Sequence, residues 1–170
     1  MTPLPPSDAP SPPAWRAELD AIVGARHGGR IAHVLGLLEK LDARFPNVAE
    51  INYQLAWTLE TSGDPAAALP RYERALALGL PPNEHTGALI GLSSVLRATG
   101  DSKRAADLLR SARLQFPDNR EFDVFLALAL YDLGQHVEAM QLLLTTIADT
   151  ADDPGLTAYQ RTIRFYATRL

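Results

Sequence analysis

The chain has 170 residues, a formal net charge of −4 and a hydrophobic fraction of 46%, which fits one globular domain with enough apolar material for a core. The acidic balance disfavours nucleic acid, whose binders concentrate basic charge on one surface. No window approaches the roughly 18 consecutive apolar residues of a membrane helix. The chain has no cysteine, so disulfides, thiol catalysis and thiolate metal sites are excluded together. The first residues have neither a basic start nor an apolar run, so they are not read as a secretory signal, and the cytoplasm is the expected compartment.

Residues 1–13 (MTPLPPSDAPSPP) contain six of the 13 prolines. Proline lacks the amide hydrogen and clashes with the preceding turn, so the segment is expected to be a flexible, extended tail. From residue 14 the spacing predicts helices over 14–27, 30–44, 48–62, 65–78, 84–99, 102–115, 119–133, 136–149 and 155–169. No strand alternation is sustained enough to suggest a sheet. Asp64 and Asp101 are expected N-caps, with Pro65 at a tolerated first position. Pro70 lies inside its helix and is expected to cost a hydrogen bond or bend it. Phe45-Pro46-Asn47 and Phe116-Pro117-Asp118 read as a helix stop followed by a new cap. Glu50 and Glu121 complete capping boxes there.

A repeat organises these elements. Gly29, Gly63, Gly100 and Gly134 are spaced by 34, 37 and 34 residues. Five residues after each stand Val34, Ala68, Ala105 and Ala139. Nine after stand Leu38, Tyr72, Leu109 and Leu143, and twelve after stand Leu41, Ala75, Ala112 and Thr146. Eight before stand Ala21, Leu55, Leu92 and Leu126; four before stand Ala25, Leu59, Leu96 and Leu130. These offsets place one apolar face on each of two helices hinged at a glycine that takes the left-handed conformation. The longer interval is assigned to a three-residue insertion in the loop at 79–82 (Gly-Leu-Pro-Pro).

On these residues the chain resembles the tetratricopeptide repeat family, and in layout its compact bacterial four-repeat members. The resemblance implies an all-α, right-handed superhelical solenoid. Its repeats would lie near 15–47, 48–84, 85–118 and 119–152, with a capping helix at 155–169. It also implies a partner-binding concave groove lined by the first helix of each pair. Projecting the family's groove positions gives Arg16, Arg26, His27, Tyr53, Trp57, Glu60, Ile90, Ser94, Arg97, Val124, Leu128 and Tyr131, with Phe165 and Tyr166 as an extension. Tyr53, Trp57, Leu128 and Tyr131 would anchor a peptide or helix, and Arg26 and Arg97 would orient acidic groups. The other reading of these side chains is that they pack between repeats. The subclass that clamps a terminal carboxylate with lysine and asparagine has Leu19 and Val23 at the corresponding slots here, so that clamp is not expected.

Little in the sequence suggests chemistry. His27, His33, His85 and His136 have no metal-ligand spacing, so no metal and no cofactor are expected. Ser93 and Ser94 have no nucleophile partner at a recognisable spacing. Gly28-Gly29 lacks the lysine of a phosphate loop. Asp149, Asp152 and Asp153 suit the start of the last helix, and Arg161, Arg164 and Arg169 suit a solvated face. The expected role is a non-catalytic adaptor with a protein or peptide partner. Homodimerisation through the same surface or the end of the array is the alternative, and an enzyme a remote third. The tail could fold back into the groove or serve another module as a ligand.

Overall fold

The computed structural model describes residues 13–26 and 31–170. Among them the chain forms nine α-helices: α1 (Ala14–Ala25), α2 (Ile31–Arg44), α3 (Ala49–Thr61), α4 (Pro65–Leu78), α5 (Pro82–Ala98), α6 (Ser102–Gln115), α7 (Glu121–Asp132), α8 (His136–Thr150) and α9 (Pro154–Ala167). The proline-rich tail up to residue 12, His27, and the hinge at Gly28-Gly29 lie outside the described residues.

Each helix packs on the next in sequence, giving antiparallel pairs stacked into an all-α solenoid. In addition α3 touches α5 and α5 touches α7, whereas the second helices have no comparable contact with one another. The first helices therefore form the tighter, inner row and the second helices the splayed, outer one.

The glycine phase is visible in the backbone. Gly63, Gly100 and Gly134 have φ of 88°, 89° and 75°, the left-handed region that ends a helix without a Cβ penalty. Asp64 and Asp101 then accept from the amides of Ala67 and Arg104 at 3.0 and 3.1 Å, capping α4 and α6 as expected. Eleven of the twelve slots after the glycines are buried: Val34, Ala68, Ala105, Ala139, Leu38, Tyr72, Leu109, Leu41, Ala75, Ala112 and Thr146 are all under 9% exposed, and Leu143 is half-buried. Tyr72 fills the space its alanine neighbours leave. A Cβ on Gly91 of α5 would stand 2.3 Å from the Tyr72 ring, so the glycine is a steric requirement there.

Several expectations need correction. Asn47 does not cap α3: it sits at φ 67° and its amide oxygen accepts from Arg74, while Val48 holds the N-cap position without a side-chain bond. Asp118 likewise does not cap α7, whose N-cap residue is Arg120. The capping boxes are absent because Glu50 is taken by Arg16 at 2.6 Å and Glu121 by Asn119 at 2.7 Å. The insertion is not confined to a loop. Proline at the first helical position loses no bond, so α5 starts at Pro82 and reaches 17 residues, while Leu80 turns inward.

The first helix pair is also shifted. Ala21 and Ala25 are exposed, and Leu19 and Ile22 supply the core of α1 instead. Finally, α4 runs unbroken through Pro70, whose side chain is exposed.

Candidate functional site: the inner face

The inner row sorts the candidate groove residues by what they touch. At the end of α1, the Arg26 guanidinium lies 4.0 Å over the Trp57 ring, a cation–π contact. Its Nη2 donates to Gln54 at 2.8 Å and Thr58 at 3.1 Å on α3. Burial pulls the Arg26 pKa below the usual guanidinium value. Among the described residues no carboxylate pairs with it. The Arg26 Nε and Nη1 are buried without a hydrogen-bond partner, while Trp57 keeps 41% of its surface exposed, so the indole of α3 is backed by the guanidinium and stays partly open.

Tyr53 and Glu60 are more deeply engaged. The Tyr53 ring stands 6.2 Å from that of Tyr72, and a Cβ on Gly87 would lie 2.6 Å from the Tyr53 hydroxyl. Glu60 accepts from the Tyr72 hydroxyl at 2.6 Å. Burial raises the Glu60 pKa, and the bond from Tyr72 partly offsets it. Burial first, and Glu60 second, push the Tyr72 phenol far up. Ile90 packs against the main core. Tyr53, Glu60 and Ile90 thus join helices as much as they face outward.

On α5 and α7 the charge is already spent. Arg97 Nε donates to Asp132 at 2.6 Å and Nη2 to its other oxygen at 3.3 Å. Ser102 donates to the same carboxylate at 3.1 Å. The Arg97 bond holds the Asp132 pKa below the usual carboxylate range. The fork assigned to orient a partner's acid is therefore occupied by the chain's own Asp132. These groups line an open cleft of about 550 Å³ with Ser94, Ala98 and Gly100. Arg16 is similarly occupied by Glu50.

Three apolar positions on α7 remain open: Val124 and Leu128 are each 40% exposed and Tyr131 64%. Trp57, Ser94 and Leu128 hold the same place in three successive first helices, six residues before each glycine. Ser94 is the small member of that series. Tyr131 also stacks on His136 at 4.6 Å between ring centres. Phe165 and Tyr166 are exposed on α9, edge to face at 5.4 Å.

Sequence reasoning missed Asp123, which is 3% exposed among apolar residues. It binds Arg113 of α6, accepts from Thr146 of α8 at 3.3 Å and pairs with Arg120 at 3.4 Å. A carboxylate inside the run EFDVF was the available signal. Among the described residues no three metal-ligating side chains converge, and no helix is long and apolar enough to cross a membrane.

A phase set by hinge glycines, small second-helix residues and a tight inner row is a repeat signature, and comparison with known families decides which. Residues 49–170 match the tetratrico peptide repeat model. The chain belongs to the tetratricopeptide repeat family. The match begins at α3, and the shifted α1–α2 pair falls outside it. Among solved structures this repeat protein is similar to MamA, at 20% identity and a TM-score of 0.68 over 87% of this chain and 88% of that one. It is similar to MamA from Desulfovibrio magneticus RS-1, at 19% identity and a TM-score of 0.66 over 91% and 89%. A kinesin light chain-like protein of Podosopora anserina, with nearly identical TPR-like repeats, gives 18% identity and a TM-score of 0.66 over 95% and 88%. At these identities the likeness concerns the fold. No curated protein matches the sequence.

Proposed function

We propose that this repeat protein is a non-catalytic adaptor that binds a peptide or helix along its inner face. The observation behind this is the row Trp57, Val124, Leu128 and Tyr131, large side chains left 40% or more exposed on the first helices. Apolar anchors with polar surroundings are what helix-in-groove recognition uses. Arg26 backs the Trp57 ring and holds that anchor in place, while Arg97 and Asp132 form a neutralised wall instead of a free cation. The partner is therefore expected to be chiefly apolar where it meets α5 and α7.

Affinity capture with the purified chain, read by mass spectrometry, tests this. Trp57→Ala combined with Tyr131→Ala should abolish the captured set while far-ultraviolet circular dichroism stays unchanged. Capture of the same partners by the double variant sinks the proposal.

A second reading is self-association, favoured by a separate observation. Exposed large apolar side chains concentrate in the last three helices: Leu133, Val137, Met140, Ile147, Leu156 and Tyr159 join those already named. Solenoid ends normally carry polar outer faces.

A further inference from the structure

The capping helix α9 has an apolar stripe that the packing of this chain leaves open. Leu156, Tyr159, Ile163 and Tyr166 follow one another at three, four and three residues, the a–d–a–d spacing of a helix that pairs with another helix. At 100° per residue they fall within one narrow flank. That flank lies beside the face formed by Gln160, Ile163 and Ala167, the least exposed residues of α9, on the helix that packs on α8. Ile163 borders both faces. Leu156, Tyr159 and Tyr166 are 41%, 64% and 61% exposed.

The charges along α9 are self-complementary. Its start is acidic, with Asp152 and Asp153. Its end is basic, with Arg169. Asp153 caps the helix by accepting from the Leu156 amide at 3.0 Å. Among the described residues neither Asp152 nor Arg169 is in an ion pair, whereas Arg164 is held within the chain by Asp149 at 2.8 Å. Arg161 projects opposite the stripe and is clear of it. Arg169 stacks on Phe165 at 3.5 Å and donates to its carbonyl at 3.0 Å, and among the described residues no carboxylate pairs with it.

We propose that α9 pairs antiparallel with α9 of a second copy about a two-fold axis. In that register Leu156 faces Tyr166 of the second copy and Tyr159 faces its Ile163. The basic end at Arg169 lies alongside the second copy's acidic start at Asp152, and symmetry makes each contact twice. The opposed helix dipoles favour the same arrangement. A parallel pairing sets aspartates against aspartates and arginine against arginine. A head-to-tail contact finds no apolar match, because α1 and α2 expose no large hydrophobic side chain among the described residues. This contact rests on the self-association reading and uses a different helix from the inner-face site, so the dimer and the inner-face site can each fail without the other. A single pair of four-turn helices falls in the weak, concentration-dependent class of interfaces.

Sedimentation equilibrium across the micromolar to millimolar range reads the result. The wild-type chain should show a monomer–dimer equilibrium that Tyr166→Glu weakens roughly 30-fold or more, the size of an interface hot spot. Arg169→Glu and Asp152→Lys should each weaken it alone and restore it when the two variants are mixed, since mixing pairs opposite charges at both contacts. Orientation has its own readout because the chain has no cysteine. Leu156→Cys mixed with Tyr166→Cys should give a heterodimeric disulfide, and neither variant should cross-link to itself. A wild-type chain that stays monomeric throughout overturns the proposal. So does a dimer that survives Tyr166→Glu, or one lost in the Trp57→Ala, Tyr131→Ala variant, which would place the second copy on the inner face.

Discussion

Along the inner row, helix meets helix directly: the Tyr53 hydroxyl of α3 rests where Gly87 of α5 has no side chain, and buried alanines let the axes approach. Along the outer row the helices are bridged by charge. Arg71 of α4 pairs with Asp42 of α2 at 2.8 Å, Arg104 of α6 with Glu73 of α4, and Arg110 of α6 with Glu138 of α8 at 3.6 Å. Apolar packing is short-ranged and punishes a change of one methyl group. Exposed ion pairs are worth little and tolerate change. The inner face is thereby fixed in shape while the outer face holds the array's spacing loosely.

The largest effect should come where the two rows meet, at Tyr72. Tyr72→Ala is expected to cost about 3–5 kcal/mol in urea denaturation, the range for emptying a buried aromatic site. Gly91→Ala should cost about 1–3 kcal/mol by overpacking against the same ring, despite a helix-propensity gain of up to about 1 kcal/mol. The double variant should cost less than the sum, because the added methyl enters the space the ring vacates. Strict additivity would show that the contact does not set the requirement for glycine.

Asp123→Ala should cost about 2 kcal/mol, the scale of losing hydrogen bonds to a buried charge that ties α6, α7 and α8 together. Asp123→Asn, which keeps an acceptor, should recover part of that loss.

Glu60 adds a pH signature to the inner row. Its pKa in the folded chain is raised above 4.5, so the folded state binds the proton more tightly than the unfolded state. The stability this contributes is fully present below the unfolded value and is lost as pH rises through the folded value. Glu60→Gln, which still accepts from Tyr72, should flatten that decline above pH 4.5. An unchanged slope in thermal melts across the acid range would contradict it.

The smallest effect belongs to the outer row. Arg104→Ala should change stability by less than about 0.5 kcal/mol, and added salt should erase the difference.

The same contrast explains what the sequence made legible. The hinge glycines, the caps Asp64 and Asp101 and the buried slots from Leu38 to Thr146 depend on local backbone geometry and a repeating period, and both are written in the residue order. The bond from Thr146 to Asp123 and the stacking of Arg26 on Trp57 join residues 23 and 31 positions apart, and no spacing rule announces them. Asn47 shows the opposite failure. A good capping residue takes the left-handed conformation instead, and its side chain is claimed by Arg74 of another helix. At the inner face, that the Arg97 guanidinium is taken depends on Asp132 of α7, 35 positions along the chain, and no spacing announces that pair.

The core is divided at α3. Ile51 and Leu55 join Leu19, Ile22, Val34, Leu38 and Leu41 in one cluster, whereas Ala49 and Ala56 of the same helix belong to the larger cluster running on to Ala139. A helix shared in this way is a seam along which cooperativity can divide. Hydrogen exchange should therefore find α1 and α2 opening together as one sub-global unit, at lower free energy than α4–α6. Binding at Trp57, which Arg26 of α1 covers, would be coupled to that opening: an occupant that keeps the Arg26 stack slows exchange in α1, and one that displaces it speeds exchange.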